Sequence, residues 1–218
     1  MKHEFFLSHS DDDLPLSLDW GEESTYRRFR DREDIFCQAV SLLLERRSRR
    51  GAHAPVVFIC HAHGDPCSER WVIREFAPFL RQAGIRVILD RTDNGPGASL
   101  IEFMDLILSV ERVLVIGIPL FYQKSLPGSD STVARELGRI VERIRNDRMK
   151  DSVIPVLLAG EERTSLPRVL WDRVYVDLRD MEGYHAQMFD LILQLYGLLD
   201  DPMVQEWRYG IQDGRALA

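Results

Sequence analysis

Val56-Val57-Phe58-Ile59-Cys60-His61-Ala62-His63-Gly64-Asp65 is the stretch on which the fold turns. Its first five residues are an unbroken apolar run, the pattern of a strand buried on both faces in a parallel sheet. Downstream, Val72, Phe76, Phe79 and Leu80 recur at helical spacing, and Gly84 stands where a helix C-cap is expected. Ile85-Arg86-Val87-Ile88-Leu89 reads as a second strand, and Asp90 to Gly97 (DRTDNGPG) is a loop by its turn residues. Ser99 is placed to cap a helix carrying Leu100, Phe103, Ile107 and Leu108.

The alternation continues. Val113 to Ile118 reads as strand three. After a long loop, Asp130 or Ser131 caps a helix bearing Val133, Leu137, Ile140 and Ile144. Val153 to Leu158 and Val174 to Val176 read as strands four and five, and Met188, Leu191, Ile192, Leu195 and Tyr196 build a last helix. Strands separated by single helices imply an α/β fold, a parallel sheet with right-handed crossovers and helices on both faces. For a strand order of 2-1-3-4-5, ligands bind beyond the carboxyl ends of strands one and three, where the order reverses. That confines the search to Cys60–Asp65, Gly117–Glu136 and the loop after strand two.

Outside this unit, taken as residues 54–200, the chain reads differently. Residues 1–53 hold a leader and an amphipathic helix marked by Ile35, Phe36, Ala39, Val40, Leu43 and Leu44. Residues 201–218 read as a C-terminal tail. Phe5-Phe6-Leu7-Ser8-His9-Ser10 resembles a first strand but lacks a helix and second strand behind it.

The whole chain has 218 residues, 45% apolar and 29% charged, which is ordinary globular composition. A net charge of −7 argues against a nucleic-acid binder that works by neutralising phosphates. The basic run Arg46-Arg47-Ser48-Arg49-Arg50 reads as a solvated helix end, favoured by the helix dipole. No apolar run reaches the roughly 18 to 20 residues of a membrane span, and the three cysteines suggest no disulfide framework. The expected location is the cytoplasm.

His61-x-His63-x-Asp65 at a strand end is a ligand pattern of some metal hydrolases, since alternate strand residues can share one ion. Pro66 stands where the best-known version carries a further histidine, so no metal is expected here. Metal-dependent hydrolysis through His61 and His63 stays an alternative.

Taken together, Phe58-Ile59-Cys60-His61, Gly84-Ile85-Arg86-Val87-Ile88-Leu89-Asp90, Pro96-Gly97, Val113-Leu114-Val115-Ile116 and Ala134-Arg135-Glu136-Leu137 resemble a Toll/interleukin-1 receptor (TIR) domain of bacterial type. Ile154 to Leu158 and Tyr175 to Asp180 resemble that family's fourth and fifth strands. The related SEFIR branch shares the fold. The resemblance implies a flavodoxin-like five-stranded sheet, preceded here by a helical extension. It also implies one of two functions: assembly as a signalling adaptor, or cleavage of NAD⁺ at its nicotinamide–ribose bond, with NAD⁺ as substrate and no cofactor. The pathway implied is immunity or cell death, with partners among copies of this chain, through the Asp90–Gly97 loop, and other TIR domains.

Glu136 falls where the family carries its catalytic glutamate, and Thr132 stands four residues before it in place of the usual tryptophan. The implied substrate cleft draws on Cys60, His61, His63, Asp90, Gly97, Gly117 and Thr132. Nicotinamide leaves this bond as a neutral molecule, so no general acid is needed. One carboxylate can stabilise the oxocarbenium-like ribose. Without the resemblance, Glu136 would read as a solvated helix residue paired with Arg139.

Overall fold

A computed structural model describes residues 23–50, 53–89, 97, 99–146 and 149–217. The apolar run Val56–Cys60 is β1, and it lies between β2 (Arg86–Ile88) and β3 (Arg112–Gly117). Beyond them come β4 (Val153–Leu157) and β5 (Val176–Asp177), giving the order β2-β1-β3-β4-β5. All pairings are parallel; Val56 stands opposite Arg86, and Phe58 opposite Val113. This is the order expected from the sequence.

Strand five differs in its bounds. The Val174-Tyr175-Val176 triplet was its apolar signal, yet Val174 is 95% exposed and only Val176 and Asp177 pair with β4. An edge strand has one neighbour, so apolar residues beside it need not enter the ladder.

The helices follow the apolar spacing more closely. A first helix, α1 (Glu23–Arg50), precedes the sheet. After β1, α2 (Pro66–Trp71) passes through a π-helical stretch, Val72–Phe76, into α3 (Ala77–Gln82). Gly84 then adopts φ +76°, a backbone angle open to glycine, and releases the chain into β2. Next, α4 (Leu100–Ser109) has Ser99 as its N-cap, whose hydroxyl accepts the Glu102 N–H at 3.3 Å. The stretch after β3 contains a short helix, α5 (Pro119–Ser125), where the sequence suggested only loop. Proline supplies its first position, but Leu120-Phe121-Tyr122 shows no helical period. The following helix, α6 (Thr132–Arg145), is capped by Ser131, which accepts from Ala134 N at 3.1 Å.

Past β4 come α7 (Glu162–Ser165), α8 (Tyr184–Tyr196) and α9 (Pro202–Asp213). The last of these occupies the region read as a tail. Its signals were local: Asp201 accepts from Met203 N, Pro202 opens the helix and Gly214 at φ +66° closes it.

The flanking helices share the main core. Phe36, Ala39, Val40 and Leu43 of α1 are buried in the same cluster as the sheet. Phe36 stacks on Phe79 of α3, with ring centroids 4.9 Å apart, and meets Phe189 of α8 edge-on. Arg46 of α1 pairs with Asp201 at 2.7 Å, tying α1 to the cap of α9. The helix begins earlier than the sequence period suggested, and Phe29 in its early turns is buried against His185. Residues 5–10 lie outside the described residues. Among the described residues, no helix is long and apolar enough to cross a membrane.

Candidate functional site

The carboxyl ends of β1 and β3 lie side by side, with Cys60 paired to Val115. The chain leaves β1 through a tight turn in which Gly64 adopts φ +104°. Cys60 and His61 are buried, and the His61 ring meets that of half-buried His63 edge-on, their centroids 4.5 Å apart. Glu69, one turn into α2, faces this turn. One of its carboxylate oxygens accepts the Gly64 N–H, and the other lies 3.8 Å from His63 Nδ1.

On the other side of this turn stand α5 and the start of α6. The Lys124 ammonium donates to the His63 carbonyl oxygen. The Lys124 carbonyl in turn accepts the Ser131 hydroxyl at 2.7 Å, and Ser131 caps α6. A chain of hydrogen bonds therefore runs from the end of β1, through α5, to the first turn of the helix that bears Glu136. Lys124 and Glu69 carried no signal in the sequence, since each acts through partners that only the folded chain brings near.

Glu136 sits on the inner face of α6. Val133, Glu136, Ile140 and Arg143 are spaced 3, 4 and 3 residues apart and all are buried. Glu136 itself is 5% exposed. The pairing with Arg139 that a solvated residue would make is absent. Arg139 pairs instead with Asp105 at 2.7 Å and Glu142 at 3.2 Å. Thr132, the first residue of α6, is half-buried at the same end of the helix.

The remaining candidate residues are placed unequally. Gly117 ends β3, and a Cβ there would come within 2.5 Å of Leu166 Cδ2, so packing alone demands a glycine. Gly97 is exposed at φ +85°, with open space where a Cβ would lie. Asp90 and the loop as far as residue 96 lie outside the described residues. Beside Gly97, Leu100 and Ile101 of α4 are exposed, Ile101 by 62%. Among the described residues, no three His, Cys, Asp or Glu side chains converge to hold a metal ion.

Residues 57–193 match a family model described as a TIR domain. A prokaryotic SEFIR domain is similar in fold, with 24% identity and a TM-score of 0.50, over 65% of this chain and 98% of that one. The TIR domain of the Toll-related receptor TRR-2 from the lower metazoan Hydra magnipapillata gives 22% identity and a TM-score of 0.49, over 64% and 97% of the two chains. The TIR domains of the activated Roq1 resistosome, which directly recognises the pathogen effector XopQ, give 17% identity and a TM-score of 0.40, over 74% and 83%. No curated protein matches the chain.

Proposed function

The chain belongs to the TIR domain family, and we propose that it is a cytoplasmic hydrolase that cleaves NAD⁺ at the nicotinamide–ribose bond when copies associate. The observation that carries this reading is the burial of Glu136 at the switch-point end of α6. A carboxylate withdrawn from water costs folding free energy. Such groups concentrate where a site uses their charge. A glutamate kept for solubility would face outward, as the half-buried and exposed residues Arg135, Arg139 and Glu142 do.

The chemistry asks little else of the protein. The C1′–N bond breaks with its electron pair going to the pyridinium nitrogen, so nicotinamide departs neutral. The positive charge develops on the ribose, where the Glu136 carboxylate opposes it. Water adds at C1′ and gives up a proton. In this reading His61 and His63, at the end of β1, and Thr132, at the start of α6, would line the approach to that carboxylate. Closing the site against water strengthens its electrostatics.

Self-association draws support from Leu100 and Ile101, two exposed apolar side chains beside the Asp90–Gly97 loop. The same pair favours a second reading, in which the chain is a non-catalytic signalling module that docks through this surface. Nicotinamide release from NAD⁺, followed over a range of protein concentration, separates the two. The enzymatic reading expects turnover per molecule to rise with concentration, because a weakly associating chain is mostly monomer when dilute. No release at any concentration leaves the adaptor reading.

A further inference from the structure

We infer that Lys124 is the residue that holds the diphosphate of a dinucleotide in this site, an assignment that rests on the NAD⁺-cleaving reading above. Its ammonium stands at the switch point itself, bonded to the carbonyl oxygen of His63 just beyond β1. That bond uses one of three N–H donors. The other two remain for an anion, and the side chain is half-buried rather than sealed.

Charge bookkeeping singles the residue out. Along α5 and the first two turns of α6 the cations are Lys124, Arg135 and Arg139. Arg135 is spent on Asp130 at 2.6 Å, and Arg139 on Asp105 and Glu142. Among the described residues, Lys124 has no carboxylate at ion-pair distance. The nearby Glu69 carboxylate is taken up by the Gly64 N–H, so the two remaining Lys124 donors are open to an anion.

The turn beside it leaves room for a ligand backbone. Gly64 has no side chain, and a Cβ built there would lie 3.6 Å from Lys124 Nζ and 3.8 Å from Leu120 Cδ2. Those are ordinary contact distances, so a side chain there would occupy the space before the ammonium, and at φ +104° it would also be strained. The main chain of Lys124 is pinned too, by the Ser131 hydroxyl that caps the Glu136 helix. A diphosphate held at Lys124 would thus be positioned against the element that carries the carboxylate.

The test compares two substrates in wild type, Lys124→Met and Lys124→Arg. NAD⁺ carries the diphosphate; nicotinamide riboside has the same scissile bond and no phosphate. For Lys124→Met, the KM penalty on NAD⁺ should exceed that on the riboside by about tenfold or more, the worth of a charge-assisted hydrogen bond. Lys124→Arg should recover most of it. Equal penalties on both substrates would mean that Lys124 only braces the His63 turn, and would overturn the inference. A separate arm uses ADP as the probe, followed by calorimetry without turnover. ADP binding that is lost in Lys124→Met supports the assignment even if wild type releases no nicotinamide, a result that would sink the enzymatic reading alone. ADP binding that is absent in wild type, or equal in both proteins, overturns it.

Discussion

Arg143 stands two helical turns after Glu136 on the buried face of α6, and its guanidinium donates to the Val110 carbonyl at 2.6 Å and the Ser152 hydroxyl at 2.7 Å. It also donates to the carbonyls of Ile107 and Glu111. One side chain thereby ties α6 to the end of α4 and to the start of β4. It fixes the rotation of α6 about its axis, and with it the direction in which Glu136 points.

Arg143 is 1% exposed, and burial, with Arg112 nearby, draws its guanidinium down to about 10, which leaves it charged at neutral pH. Arg143→Met should strand several buried acceptors and cost on the order of 3 kcal/mol. Urea unfolding should show a lower midpoint at an unchanged slope. A variant as stable as wild type would show that these bonds do not hold α6.

The helix that precedes the matched region is part of the fold. Phe36 of α1 is 2% exposed between Phe79 and Phe189. Phe36→Ala should lower stability by about 3–5 kcal/mol, the range for emptying such a site. An effect under about 1 kcal/mol in chemical denaturation would mean that α1 is an appendage.

The edge of the sheet should respond to acid. Arg179 donates to Asp177 at 2.9 Å and 2.7 Å, and these bonds hold the Asp177 carboxyl below its ordinary range, although burial opposes them. Because the folded value is the lower one, the pair's stabilisation is fully present above the ordinary value of about 3.9 and is lost as pH falls through the folded value. Both side chains are about a third exposed, so solvent screens the effect to a modest size. Asp177→Asn should therefore flatten the fall of Tm with acidification in that window and leave its slope near pH 7 unchanged. Parallel curves for the two proteins would rule the pair out as a contributor.

How much was legible in the sequence follows from how local each signal is. The β1 run, the caps at Ser99 and Ser131 and the stop at Gly84 depend on residues within one turn, and each took the expected place. The π-helical stretch did not announce itself, because Val72 and Phe76 keep ordinary helical spacing, and α5 did not because it is short and buries only Phe121. Glu136 could be named, but its inward orientation could not. The bland pairing with Arg139 gave way to Asp105, a residue on another helix. Lys124 and His63 are 61 residues apart, and no spacing rule connects them.

The most direct measurement is nicotinamide release by Glu136→Gln beside wild type, at a protein concentration where wild type turns over NAD⁺. The amide keeps the shape of the side chain while removing its charge, so the melting temperature should stay close to wild type. Release should fall on the order of 10²-fold or more, the usual loss when one preorganised electrostatic group is removed from a transition state. A folded Glu136→Gln protein that releases nicotinamide at the wild-type rate would contradict the account, and would place the catalytic carboxylate elsewhere.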